Sequence, residues 1–204
     1  KGQSLASDVK HGLFVKSPET GSIKKIDPKS GVVTVQYDLK PVPLRAFARG
    51  KICEVEPKIG VTIKSRAARI YGRVGFGGEG SGRIKLISGG NIGDFPEGAV
   101  AVSTTPVNCS DLRELAERGG AGLVAPSIRN SEWVAFAGKE MGVAVTGDED
   151  LPFPLVLTRG FGLSEMAEHA AKLFRESGEK LVSLSGRTQI RAGVIRPRVM
   201  IYKD

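Results

Sequence analysis

The residues best suited to recognising a charged ligand lie in the stretch LTRGFGLSEM, Leu157 to Met166. An apolar run leads into a glycine-flanked turn, and Ser164 stands where a helix is expected to begin. A serine at that position caps the helix, leaves the following amides facing outward and sets them at the positive end of the helix dipole. Arg159, just before the turn, offers a two-pronged contact to phosphate or carboxylate. With Gly160 and Gly162 between them and Thr158 before them, these residues suit anion recognition, and equally a serine that only caps its own helix and an arginine paired with a surface carboxylate.

Other polar residues join the same candidate site by a rule of fold. Four short apolar runs, AVAVS from Ala99, GLVAP from Gly122, GVAVT from Gly142 and PLVLT from Pro154, alternate with helix-like segments. That rhythm predicts a parallel sheet, and open sheets of this kind bind ligands beyond the C-terminal ends of their strands. Ser103 and Thr104 would follow the first strand, Ser127 the second, Thr146 and Asp148 the third, and Thr158 and Arg159 the fourth. Nearer the C-terminus, Arg187, Gln189 and Arg191 alternate with Thr188, Ile190 and Ala192, so a strand there would put three long polar side chains on one face. Such a row suits an anion, and equally the wet face of an edge strand.

Other chemistries find less support in the residues. The glycine-rich segment YGRVGFGGEGSGRIKLI, from Tyr71, precedes a strand-like run, whereas a phosphate loop needs a helix immediately after its glycines. Asp148, Glu149 and Asp150 are consecutive, so they do not all face one cation, and a solvated loop is the simpler reading. His11 and His169 have no sequence partner that would suggest a triad or a zinc site. Cys53 and Cys109 are too few for a disulfide scaffold and read as reduced structural residues, with a reactive thiol at the helix start expected near Cys109 as the lesser alternative. No nucleophile-base pair is evident, so the reading leans away from an enzyme. If the protein is one, a cofactor or metal that no motif identifies would carry the reaction.

The helices that position these residues are legible. The first is expected to start at Asn108 to Asp111, present Leu112, Leu115 and Ala116 on one face, and stop at Gly119 and Gly120. A second holds Trp133, Val134 and Ala137. A third runs from Ser164 to about Ser177, with Gly178 beyond it. Before residue 90 the pattern is one of strands: GSIKKIDPKSGVVTV from Gly21 and GKICEVEPKIGVTIK from Gly50 share six identities over 15 positions. Each reads as a strand, a Pro-Lys-x-Gly turn and a β-branched strand, with the glycine supplying the positive φ that closes a hairpin.

The phrases KGQSLA, at Lys1 to Ala6, and VKSPETGSIKKID, at Val15 to Asp27, resemble the lipoyl/biotinyl-type barrel-sandwich hybrid and are similar to the barrel in the C subunit of Rnf electron-transport complexes. The resemblance covers about the first 40 residues and implies a β-barrel with an internal two-fold. Carrier function does not follow from it, because neither the Asp-Lys-Ala hairpin of lipoyl domains nor the Met-Lys-Met of biotin carriers occurs, and the cysteine clusters of the Rnf subunit are missing. The closing phrase SGRTQIRAGVIRPRVMI resembles the ending of a group of uncharacterised bacterial proteins, which implies no function.

Composition completes the expectation. The chain has 204 residues, 40% of them hydrophobic, and a net charge of +8. Residues 1 to 98 carry 17 basic and 9 acidic side chains and residues 99 to 204 carry 13 of each, so an electrostatic partner should be sought in the first half. Nucleic acid is the rival ligand on that ground, although Phe14, Tyr37, Phe47, Tyr71 and Phe76 show no stacking pattern. No run approaches the roughly 18 apolar residues of a membrane helix, and no signal peptide is evident, which favours the cytoplasm and no membrane insertion. Lys1 stands where a start methionine would, which suggests a longer chain. The expected architecture is α+β, with an N-terminal duplicated β-barrel over residues 1 to 90 and an α/β domain with a mostly parallel sheet over 91 to 204. The expected role is non-catalytic binding and assembly, the barrel docking a protein partner and the α/β domain holding a small anionic ligand.

Overall fold

The structure is a computed structural model, and it describes residues 1–38, 41–138, 151–189 and 194–203. The chain divides into two compact units, Lys1–Arg45 and Ala46–Asp204.

In the first unit β1 (Ser4–Asp8) pairs antiparallel with β2 (Leu13–Lys16), and β3 (Gly21–Asp27) with β4 (Val32–Tyr37). In the second, β5 (Lys51–Glu56) pairs with β6 (Gly60–Lys64). The repeat seen in the sequence is therefore real at the level of the hairpin. Both copies carry a register irregularity at the equivalent place, between Ile23 and Lys25 in one and between Ile52 and Glu54 in the other. Among the described residues these strands pair as three separate two-stranded sheets, so the expected duplicated barrel is not seen.

The two repeat turns differ, and side-chain length explains why. Asp27 is short enough to accept from the Lys29 amide (3.0 Å) and the Ser30 hydroxyl (2.6 Å), and Gly31 takes the left-handed φ of +70°. In the second copy Glu56 replaces Asp27 and Ile59 replaces Ser30, which removes that local network. The loop is one residue shorter, Gly60 is drawn into the strand, and Lys58 takes the positive φ (+69°) instead.

The rest of the second unit is built on β7 (Ala67–Tyr71), β8 (Val74–Phe76), β9 (Glu79–Ile87), β10 (Val100–Ser103), α1 (Cys109–Glu117), β11 (Gly122–Ile128), α2 (Asn130–Ala137), β12 (Leu155–Phe161), α3 (Glu168–Ser177), β13 (Leu181–Ser185) and β14 (Arg198–Tyr202). Eight strands form one sheet in the order β7-β14-β13-β9-β10-β11-β12-β8. The sheet is mixed rather than mostly parallel. The ladders joining β9, β10, β11 and β12 are parallel, and the other four pairings are antiparallel. The first parallel strand is β9, from the glycine-rich segment. Residues 67–87, which the sequence pattern grouped with the N-terminal strands, thus contribute three strands to this sheet.

Alternation along the parallel strands loads both faces, as expected for strands covered on each side. Ala101, Leu123, Ala125, Leu155 and Leu157 pack with Leu112 and Leu115 of α1, Trp133 of α2 and Phe76 of β8. Val100, Val102, Val124 and Val156 pack with Ala170, Ala171 and Phe174 of α3 and with Val182, Leu184, Val199 and Ile201 of the antiparallel strands. The α1 start is a full capping box between Asn108 and Asp111. Gly138 ends α2 in the left-handed region, and Trp133 stacks on Phe76 with ring centroids 3.9 Å apart.

The outermost strands of the order, β7 and β8, are consecutive in the chain, with only Gly72 and Arg73 between them. Eight strands laid flat would set their outer members about 34 Å apart, whereas the three steps from Tyr71 to Val74 span at most about 11 Å. The sheet must therefore curl until its edges adjoin, although no ladder joins β7 to β8. At the corner the Gly72 amide donates to the Pro197 carbonyl and the Arg73 amide to the Leu157 carbonyl, both at 2.8 Å. The segment after β13 then seals β8. The Gly186 amide donates to the Gly78 carbonyl (2.9 Å), and a Cβ on Gly186 would lie 1.8 Å from the Phe76 carbonyl oxygen. The Thr188 hydroxyl, in a residue only 2% exposed, accepts from the Gly75 amide (2.9 Å) and lies 3.0 Å from the Gly75 carbonyl and 3.2 Å from the Gly186 carbonyl, either of which can take its proton.

Two outcomes are expected. Thr188→Val keeps the shape but strands the Gly75 amide, so urea unfolding should show a loss of about 2 kcal/mol that Thr188→Ser largely restores. The hydrogen bond from the Ser30 hydroxyl, followed by that from the Lys29 amide, holds the Asp27 carboxyl below its ordinary value of 3.8. A lowered carboxylate stabilises the turn above the ordinary value and loses that contribution as pH falls through the lowered one. An NMR titration should place the Asp27 midpoint below 3.8, and Ser30→Ala should raise it.

Candidate functional site

The C-terminal ends of β10, β11 and β12 lie side by side, and a single segment, Gly162 to Met166, crosses over them. The Gly162 amide donates to the Ile128 carbonyl (2.9 Å), the Ser127 hydroxyl to the Ser164 carbonyl (2.7 Å), and the Met166 amide to the Thr104 carbonyl (2.9 Å). The Met166 side chain then anchors in the second core cluster. These bonds overturn one expectation. Ser164 does not cap α3, which starts at Glu168 after Ala167 and has no side-chain cap. The tertiary bonds hold Ser164 to Ala167 as a linking strap, so an anion cannot be placed on a helix start at Ser164.

The other strand-end residues divide by what their polar atoms already hold. Ser103 is fully buried and its hydroxyl donates to the Thr105 carbonyl at 2.7 Å. Thr104 gives its carbonyl to the crossing segment. Opposite Ala125 to Ser127 of β11, β12 runs from Leu157 to Gly160 and so carries one extra residue, a bulge at Thr158 and Arg159. The Thr158 Oγ1 is buried and has no hydrogen-bond partner among the described residues. Arg159 is exposed, and Gly160 and Gly162 hold φ values of +91° and +125°. Arg73, exposed at the sheet corner, has its Cβ 4.0 Å from where a Cβ of Gly160 would stand. Neither arginine forms an ion pair with a described carboxylate.

Arg187 and Gln189 are exposed on either side of buried Thr188, as the alternation predicted, but Gln189 pairs only in an isolated bridge with Ile195. They belong to the segment that seals β8, one strand removed from β12. Thr146, Asp148 and Arg191, with the run GVAVT, lie outside the described residues. His11 has a partner after all, since its Nδ1 is 2.7 Å from Asp8 Oδ2. Cys109 is buried and Cys53 is exposed. Among the described residues no three His, Cys, Asp or Glu side chains converge as a metal site requires. No described helix is long and apolar enough to cross a membrane.

Sequence reasoning missed Arg73, because its place beside β12 depends on the sheet curling. It also missed a basic cavity of about 250 Å³ lined by Arg49, Lys64, Ser65, Arg66, Tyr202 and Lys203, with Gly50 and Leu181. More than 130 residues separate Arg66 from Lys203, so no local pattern could have joined them.

Removing the strap's buried tether with Ser127→Ala should cost about 1 kcal/mol, since water can reach the exposed Ser164. Amide exchange at Gly162 and Met166 should quicken, and unchanged exchange would show that the strap does not depend on Ser127.

Comparison with protein-family models, curated proteins and solved structures finds no match for this chain.

Proposed function

We propose that the unit Ala46–Asp204 binds a small anionic ligand at the C-terminal ends of β10, β11 and β12, and that the protein acts by binding and assembly rather than by catalysis. The observation that carries this reading is the bulge in β12. It leaves the buried Thr158 hydroxyl without a described partner next to an exposed Arg159 that no described carboxylate neutralises. A hydroxyl donor beside a guanidinium suits phosphate or carboxylate, and Arg73 adds a second positive charge at the same corner. The hydroxyls of Ser103 and Ser127 are already spent on carbonyl groups, which favours a holding role over a nucleophilic one.

The assembly part of the proposal rests on the first unit. Ser17 is its one buried residue among those described, while Phe14, Ile26, Val32 and Tyr37 on its hairpins are exposed. Such apolar side chains suit a protein partner.

Melting the full chain carrying Arg66→Gln and Lys203→Gln, which disarm the basic cavity, against phosphate, nucleotides and carboxylates at constant ionic strength tests the ligand. A ligand at ten times its Kd should raise Tm by about 3–5 °C, and Arg159→Ala should abolish the rise. No shift with any member of the panel, or a shift that Arg159→Ala leaves intact, removes the strand-end site.

A further inference from the structure

The basic cavity is separate from the strand-end site, and besides Leu181 of β13 it is assembled from three parts of the chain. Arg49 and Gly50 lead into β5, Lys64 to Arg66 link β6 to β7, and Tyr202 and Lys203 close β14. Its walls are tied together by hydrogen bonds. The Ser65 hydroxyl donates to the Arg49 carbonyl at 2.5 Å, the Lys203 amide to the Arg66 carbonyl at 3.0 Å, and the Arg49 amide to the Tyr202 hydroxyl at 2.9 Å. The Tyr202 hydroxyl passes its own proton to Ser183 Oγ at 2.9 Å, so the floor is fixed from below. Gly50 admits no side chain, because a Cβ there would lie 2.3 Å from the Lys64 carbonyl oxygen.

Positive charge is concentrated in this cavity. On the helices some cations sit beside carboxylates, as in Arg118 with Glu114, Lys172 with Glu176, and Arg175 with Glu168. Here Arg49, Lys64, Arg66 and Lys203 line one hollow, no described carboxylate lines it with them, and none of the four pairs with a described carboxylate. Four like charges around one hollow repel one another unless an anion enters. We infer that this cavity is a phosphate-binding site, taking the phosphate group of a small phosphate monoester.

Size, charge and shape choose that class. A volume of about 250 Å³ falls below the range of about 300–1,000 Å³ typical of drug-sized ligands, and so suits a phosphate with a small organic body. A phosphate monoester carries about −1.5 to −2 at pH 7, a closer match to four cations than a single carboxylate. Arginine forks and lysine ammonium groups are the usual phosphate donors. A nucleic-acid strand fits less well. The one aromatic residue in the lining, Tyr202, is buried with its hydroxyl engaged, so it offers no stacking face.

Calorimetric titration of the full chain with ribose 5-phosphate and with inorganic phosphate, against succinate at the same ionic strength, tests the site. Saturable one-to-one binding of ribose 5-phosphate is expected, weakened at least tenfold in the double variant Arg66→Gln, Lys203→Gln and unchanged in Arg159→Ala. If circular dichroism shows the double variant unfolded, Lys64→Gln serves in its place and should also weaken binding. The inference is overturned if neither phosphate probe binds, if succinate binds equally well, or if an oligonucleotide binds where the phosphate probes do not. It is also overturned if only Arg159→Ala weakens binding, which would return the phosphate to the strand ends and leave the strand-end proposal standing.

Discussion

The second unit depends on one covalent constraint, the two residues Gly72 and Arg73 that join the outermost strands of an eight-stranded sheet. A flat sheet cannot satisfy so short a link, so the sheet has to curl. Its curl brings the backbones of β8, β12 and the segment after β13 close together. Glycines at 72, 75 and 186 make that approach possible, and Thr188 supplies the hydrogen bonds that β8 would otherwise lack on its outer side. Buried backbone groups must be paired, and here one hydroxyl accepts from the Gly75 amide and lies within reach of the Gly75 and Gly186 carbonyls.

The same corner positions the candidate chemistry. Because β12 lies next to β8, the bulge at Thr158 and Arg159 opens beside Arg73. The strap from Gly162 to Met166 uses the neighbouring strand ends, consuming the hydroxyl of Ser127 and the carbonyls of Thr104 and Ile128. Among the described residues, one guanidinium from β12, one from the corner and a buried hydroxyl have no partner there. The basic cavity arises from a different closure, where the base of the β5–β6 hairpin meets the end of β14. Each collects cations from residues that are distant in the chain.

The repeated hairpins show how one pattern yields two local structures. The alternation of apolar residues and the bulge position persist from one copy to the other, because both are set by strand pairing. The turns diverge, because Asp27 reaches the backbone two residues on and Glu56 does not. A glycine matched by alignment therefore has a different task in each copy, closing the turn at Gly31 and entering the strand at Gly60.

The sequence by itself determined the local elements. Asn108 and Asp111 announced α1, the apolar runs at Ala99, Gly122 and Pro154 announced β10, β11 and β12, and the Pro-Lys-x-Gly repeats announced two hairpins. These signals are carried by neighbours within a turn or a strand, which is why they are legible without the fold. Only the tertiary structure decided where the strands pair, that β9 belongs beside β10, and that the antiparallel strands flank a parallel centre. It also decided that α3 starts at Glu168, because the Met166 amide, which a helix from Ser164 would have left open, is bonded to the Thr104 carbonyl just beyond β10, and the Ser164 carbonyl accepts from Ser127. Arg73, the Thr158 bulge and the cavity at Tyr202 were invisible for the same reason: each is a meeting of residues far apart in the chain, and sequence periodicity records only the face a residue shares with its near neighbours.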